Sequence, residues 1–68
     1  MQFKITEEYI ELYKLIKVAD LVDSGAEAKQ IISEGYVKRG EEVETRKRAK
    51  IKVGETITIG DVSIEVVS

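Results

Sequence analysis

Residues 24–37 read Ser24-Gly25-Ala26-Glu27-Ala28-Lys29-Gln30-Ile31-Ile32-Ser33-Glu34-Gly35-Tyr36-Val37. Both ends of a helix are written in this stretch. Ser24 followed by Glu27 is a capping box, in which the Ser24 hydroxyl accepts from the Glu27 amide and the Glu27 carboxylate returns to the Ser24 amide. Ala28, Ile31 and Ile32 fall on one helical face. Gly35 stands where a left-handed C′ residue stops a helix, with Tyr36 placed to pack back on Ile31. The segment is about eleven residues long, so tertiary packing must hold it.

Toward the N-terminus the apolar residues keep the helical period. Tyr9, Leu12, Tyr13, Ile16 and Ala19 form a stripe that Leu15, Val18 and Val22 widen. Thr6 is the expected N-cap, with Glu7 and Glu8 beside the positive end of the helix dipole. The helix is expected to end near Ala19–Leu21, and Leu21–Asp23 then joins two short helices into a hairpin. Gln2–Ile5 precedes them as a short strand.

Toward the C-terminus the period changes to two. Tyr36–Arg39 and Glu42–Thr45 read as strands about a Gly40-Glu41 turn. Residues 46–53, Arg-Lys-Arg-Ala-Lys-Ile-Lys-Val, alternate: Arg46, Arg48, Lys50 and Lys52 on one parity, Ala49, Ile51 and Val53 on the other. Successive strand side chains point to opposite faces, so one row is cationic and the other largely apolar, repeating at ~6.6 Å. That repeat is close to phosphate spacing along a nucleic-acid strand. Val53-Gly54-Glu55 turns into Thr56–Ile59, Gly60-Asp61 is a two-residue hairpin signal, and Val62–Val66 alternates cleanly. The reading is one α+β domain over residues 1–68: a short helical hairpin packed on a small, mostly antiparallel β-sheet.

The charges are segregated along the chain. Residues 1–35 carry Lys4, Lys14, Lys17 and Lys29 against seven acids, a net −3. Residues 36–52 carry Lys38, Arg39, Arg46, Lys47, Arg48, Lys50 and Lys52 against Glu41, Glu42 and Glu44, a net +4. Residues 53–68 carry Glu55, Asp61 and Glu65 and no base, a net −3. The total of −2 conceals a basic ribbon suited to phosphate. Such a ribbon can also be a solvated strand face, or lysines set on a sheet edge against aggregation.

Composition removes most chemistry. The chain has no Cys and no His, which excludes disulfides, thiolate catalysis and the usual zinc sites. Ser24 is a cap, and no serine sits on a Gly-x-Ser-x-Gly elbow. No phosphate-cradling glycine loop occurs; the five glycines are spaced as punctuation. Glu7/Glu8 and Glu41/Glu42 are adjacent acids with no cleft to hold them. No enzyme, cofactor or metal site is expected. No apolar run approaches the ~20 residues of a membrane span, and Met1–Ile5 lacks a signal-peptide core. A monomer in the cytoplasm is the expectation.

Helical hairpin, Ala28-Lys29-x-Ile31-Ile32-x-x-Gly35-x-Val37, then a basic β-ribbon: this order resembles the αL RNA-binding domain named after ribosomal protein S-four. Leu12, Ile16, Ser24, Glu27, Glu34 and Val43 also match. Glu44-Thr45-Arg46-Lys47-Arg48 and Val53-Gly54-Glu55 are similar to its small stand-alone bacterial members. The resemblance covers about residues 9–60. It implies an αL fold and binding to structured RNA, ribosomal or transfer, with the ribosome among possible partners. There are three departures. Glu11-Leu12-Tyr13 stands where the family has Arg-Leu-Asp, Ser24-Gly25 where it often has Ser-Arg, and Arg39-Gly40-Glu41 where it has Val-Asn-Gly.

The RNA-contacting set read from these residues is Lys29, Lys38, Arg46, Lys47, Arg48, Lys50 and Lys52, with Lys14, Lys17 and Arg39 at its margin. Lys47 has the wrong parity and joins only if a turn or bulge re-aims it. Phe3, Tyr9 and Tyr13 are spaced for core. Tyr36 is the one aromatic near the basic surface, either stacking on RNA or packing beneath the helix end. The competing reading is a protein-interaction module that presents the same ribbon to an acidic partner. A ubiquitin-like carrier would need a Gly-Gly tail, and the chain ends Val66-Val67-Ser68.

Overall fold

In the computed structural model, which describes residues 1–68, the chain runs β1 (Gln2–Lys4), β2 (Tyr9–Glu11), α1 (Leu12–Val18), α2 (Gly25–Ser33), β3 (Val37–Arg39), β4 (Glu42–Val43), β5 (Lys50–Lys52), β6 (Thr56–Ile59) and β7 (Val62–Val67). Helix α2 begins as its sequence dictates, with Ser24 Oγ accepting from the Glu27 amide at 3.2 Å. The Glu27 carboxylate reaches one residue further back than expected and accepts from the Asp23 amide at 3.4 Å. At the other end Gly35 has φ +86°, a value that strains any residue with a Cβ. The Gly35 and Tyr36 amides donate to the Ile32 and Ile31 carbonyls, each at 3.1 Å, which are the two bonds of a Schellman motif. The Tyr36 ring points away from the core and is 64% exposed. Helix α1 ends by the same device, with Asp20 in the left-handed position at φ 63°.

The start of α1 departs from the expectation. Thr6 is not a cap, and Tyr9–Glu11 is strand rather than helix, paired antiparallel with β5 so that Ile10 faces Ile51. No side chain caps α1. Its first amides are met from elsewhere in the chain: Leu12 donates to the Ala49 carbonyl at 2.9 Å and Tyr13 to the Lys47 carbonyl at 3.0 Å. A helix start needs acceptors for its unpaired amides, and here a distant loop supplies them.

The main sheet has five strands in the order β1-β7-β6-β3-β4, with β1 parallel to β7 and the other pairs antiparallel. The fold is thus α+β with a mostly antiparallel sheet. Arg39 pairs with Glu42 across a two-residue turn, and Gly40 takes φ +63° at its first central position. That is the glycine placement of a II′ hairpin. Strand β4 stops at Val43, short of the expected Thr45, because Glu44 turns inward and is 8% exposed. Strands β2 and β5 form a separate ribbon.

The core joins both helices to both sheets. Leu12, Leu15 and Ile16 of α1 and Ala28 and Ile32 of α2 cluster with Val37, Ile57, Ile64 and Val66 of the main sheet and Ile51 of the ribbon. The expected parity holds at Ala49 and Ile51, both buried. It fails at Val53, which is 48% exposed because β5 ends at Lys52 and a turn follows. No helix is long and apolar enough to cross a membrane.

Candidate nucleic-acid interface

The basic run is not one strand. Only Lys50–Lys52 pairs; Arg46, Lys47 and Arg48 lie on the loop that leads into it, with a turn at Lys47-Arg48. The loop cannot continue the ladder because its carbonyls at Lys47 and Ala49 hold the start of α1. Arg46, Arg48, Lys50 and Lys52 are nevertheless exposed, and with Arg39 and Ala49 they line one open groove.

Three carboxylates shape that groove. Glu44 is the most deeply placed. Its Oε2 accepts Arg46 Nε at 3.0 Å and the Arg46 amide at 3.1 Å, while its Oε1 accepts Arg46 Nη2 at 3.1 Å and Arg39 Nη1 at 3.3 Å. These bonds, those to Arg46 foremost, outweigh burial and hold the Glu44 carboxyl down to about 2. Glu55 accepts Arg39 Nε at 2.5 Å and Nη2 at 3.0 Å, and takes the Lys52 amide at 2.7 Å. Arg39 Nη2 also donates to the Lys50 carbonyl at 3.0 Å. The Arg39 fork is therefore spent inside the molecule, fixing the path of β5. Its bond to Glu55 is the main cause holding that carboxyl below the usual range.

Glu11, the last residue of β2, ties the ribbon to α1. Arg48 Nε donates to its Oε2 at 2.7 Å, and Lys14 Nζ lies 3.2 Å from its Oε1. The bond to Arg48 is the largest cause of the lowered Glu11 pKa. Beyond Lys14 the Tyr13 ring carries two ammonium groups, Lys29 Nζ at 4.7 Å and Lys14 Nζ at 5.9 Å from its centre. Tyr9, expected in the core, is 38% exposed, and Lys50 Nζ stands 5.1 Å from its ring centre. Antiparallel pairing with Lys52 sets Tyr9 on the face of the ribbon that carries Lys50 and Lys52.

The expected residues thus fall into groups. Arg46, Arg48, Lys50 and Lys52 converge in the groove, and Lys14 and Lys29 join them through Glu11 and Tyr13. Lys47 is exposed on the turn beside them. Lys17 lies one turn along α1 from Lys14, and both border a second depression together with Lys4. Lys38 stands apart, exposed on β3 opposite Val43 and Thr58, on the strand face away from Val37 and Arg39. Sequence reasoning gave Glu11, Glu44 and Glu55 no part in the site, counting them as charge offsets and as positions that match or depart from the family pattern. The available signal was their spacing, with Glu44 two residues before Arg46 and Glu55 three after Lys52. No group of acidic residues could hold a metal ion.

The comparisons with known proteins follow the same lines. The sequence matches the S4 domain family over residues 3–67. It is 45% identical over 60 residues to the Escherichia coli (strain K12) protein named "Putative RNA-binding protein YbcJ", covering 88% of this chain and 86% of that one. A Shigella flexneri protein, also YbcJ, matches with the same identity and coverage. The solution structure of E. coli YbcJ, described as an αL motif involved in RNA binding, superposes with a TM-score of 0.76 at 41% identity. That match covers 98% of this chain and 86% of the other. With a family match across nearly its whole length and relatives this similar on both sequence and backbone, the chain belongs to the S4 domain family.

Proposed function

We propose that this protein is a non-catalytic RNA-binding protein, monomeric and cytoplasmic, that docks its basic ribbon and the adjoining helix face on the phosphates of structured RNA. The observation that carries the reading is the convergence of Arg46, Arg48, Lys50 and Lys52 in one groove with Lys14 and Lys29 alongside. The naming of YbcJ for RNA binding supports it. Phosphate contacts supply affinity and register, and duplex RNA is read by shape more than by base edges. Ribosomal RNA and tRNA are the structured classes the ribbon would meet. The scaffold is rigid because Glu44, Glu55 and Glu11 fix the ribbon before any ligand arrives.

Binding of a folded tRNA and of a ribosomal RNA helix across a salt series tests this. With five or six cations on phosphates, log K should fall against log salt with a slope of roughly −4 to −5. A slope near −1, or binding to an acidic polypeptide with none to RNA, overturns the reading.

A further inference from the structure

The three tyrosines are not equivalent. Tyr9 and Tyr13 each carry a lysine ammonium over the ring. Tyr36 carries none, and at 64% it is the most exposed large apolar side chain of the protein. Its backbone is held by the Schellman bond to Ile31, so the ring leaves a fixed point on the surface. Val43 lies close by. It is 53% exposed, and its Cγ1 would meet a Cβ at Gly35 at 3.8 Å. Lys38 pairs with Val43 across β3 and β4 and shares Tyr36's strand parity, which puts a cation beside the apolar pair.

The patch meets the phosphate groove through Val43, while Tyr36 and Lys38 line neither depression. Val43 and Arg46 line one open depression, and Arg46 also lines the groove that holds Arg48, Lys50 and Lys52. An apolar, aromatic surface with free faces at the end of a cationic track suits a flat π-system attached to a polyanion. Every nucleobase fits that description, and an unpaired one can leave its stack to reach it.

We infer that Tyr36, flanked by Val43 and Lys38, is a stacking platform for an unpaired nucleobase, so that the preferred RNA is a helix carrying a bulge or a loop beside the phosphates held by the ribbon. This rests on the RNA-binding reading and narrows it to a ligand class. Lys38, remote from the other cations, thereby gains a role: it meets the phosphate of the flipped nucleotide.

The test uses two labelled RNA hairpins that differ by one bulged adenosine in the stem, with affinity read by fluorescence anisotropy. The unmodified protein should bind the bulged stem about tenfold more tightly, the scale of one base stacked on an aromatic ring. Tyr36→Ala should abolish that preference while binding the paired stem unchanged, and Tyr36→Phe should keep it. The chain has no tryptophan, so Tyr36→Trp supplies a single indole whose emission should be quenched by the bulged stem and not by the paired one. An exposed position keeps these variants folded, checked by an unchanged thermal midpoint. Equal binding of both stems with a steep salt slope, or equal weakening of both by Tyr36→Ala, overturns the platform and leaves the RNA reading standing. Binding of neither stem at low salt overturns both.

Discussion

Arg48 and Glu11 lie 37 positions apart in sequence and meet at 2.7 Å, joining the loop before β5 to the strand before α1. Glu11 occupies the place where related domains open their first helix with a cation. The charge is reversed here, and the acid grips Arg48 of the groove and Lys14 of α1 at once. A phosphate that approaches Arg48 or Lys14 competes with Glu11.

Glu11→Gln should therefore strengthen RNA binding, by a few-fold at moderate salt. The slope of log K against log salt should steepen by about one contact's worth, roughly 0.7–0.9. The unfolding midpoint should barely move, since exposed ion pairs contribute little. Weaker binding by the variant would mean that Glu11 serves chiefly to aim Arg48.

The groove cations should outweigh the others. Arg48→Glu and Lys50→Glu should each weaken binding across many RNA sequences with stability changed by under about 0.5 kcal/mol, whereas Arg46→Glu should weaken binding and also destabilise the fold, because it sets a carboxylate against buried Glu44. Arg48→Lys keeps the charge and loses the fork, so a clear loss there marks a bidentate phosphate contact. Lys4→Glu is a less remote control than the sequence suggests, because Lys4 borders the depression shared by Lys14 and Lys17. If Lys4→Glu weakens binding as much as Arg48→Glu, the site is not the groove.

Acid should loosen the ribbon through Glu44. Its carboxyl is held down to about 2 in the fold and returns to the ordinary value when unfolded, so the unfolded chain takes up the proton first. Stability is full above about pH 4.5 and is lost as pH falls toward 2, on the order of 3 kcal/mol in the limit. Glu55 shifts the same way and adds to the loss. Urea titrations at pH 7 and pH 3 read it. Glu44→Ala should lower stability at neutral pH by about 2–4 kcal/mol, by leaving part-buried Arg39 short of a partner, and should flatten the acid response.

The two helix ends make an internal comparison. Gly35→Ala should cost about 1–2 kcal/mol, chiefly through backbone strain, as an added Cβ meets only Val43 Cγ1 at an ordinary 3.8 Å. Asp20→Gly, at the equivalent place on α1, should stabilise by up to about 1 kcal/mol. Ser24→Ala should cost about 1 kcal/mol through the lost cap. Chemical denaturation that ranks Asp20→Gly below the parent would contradict this account of the helix ends.

What was legible in the sequence was local. Ser24 and Gly35 bound α2 because a cap and a left-handed residue act within a few positions. The alternation at Ala49 and Ile51 placed the neighbouring cations outside. The misreadings that moved whole elements were long-range. Tyr9 kept helical spacing with Leu12 and Tyr13, yet pairing with Lys52 drew it into a strand, and the Ala49 and Lys47 carbonyls made a local N-cap at Thr6 unnecessary. Arg39 looked like one cation among several until Glu44 and Glu55 closed around it. Periodicity records which face is apolar; it does not record which distant carboxylate claims a given guanidinium.

The parallel pairing of Phe3 with Val66 sets an order of events during synthesis. Strand β1 leaves the ribosome first and has no partner until β7 follows. At about 5–20 residues per second, the apolar face of the unfinished sheet stays open for several seconds. The helical hairpin can form in that interval from near neighbours, whereas the sheet must wait for the largest loop in the chain to close. Folding should then be governed by this last closure, and a chain stalled before Val62 would present Val37, Ile57 and the helical core residues to chaperones and proteases.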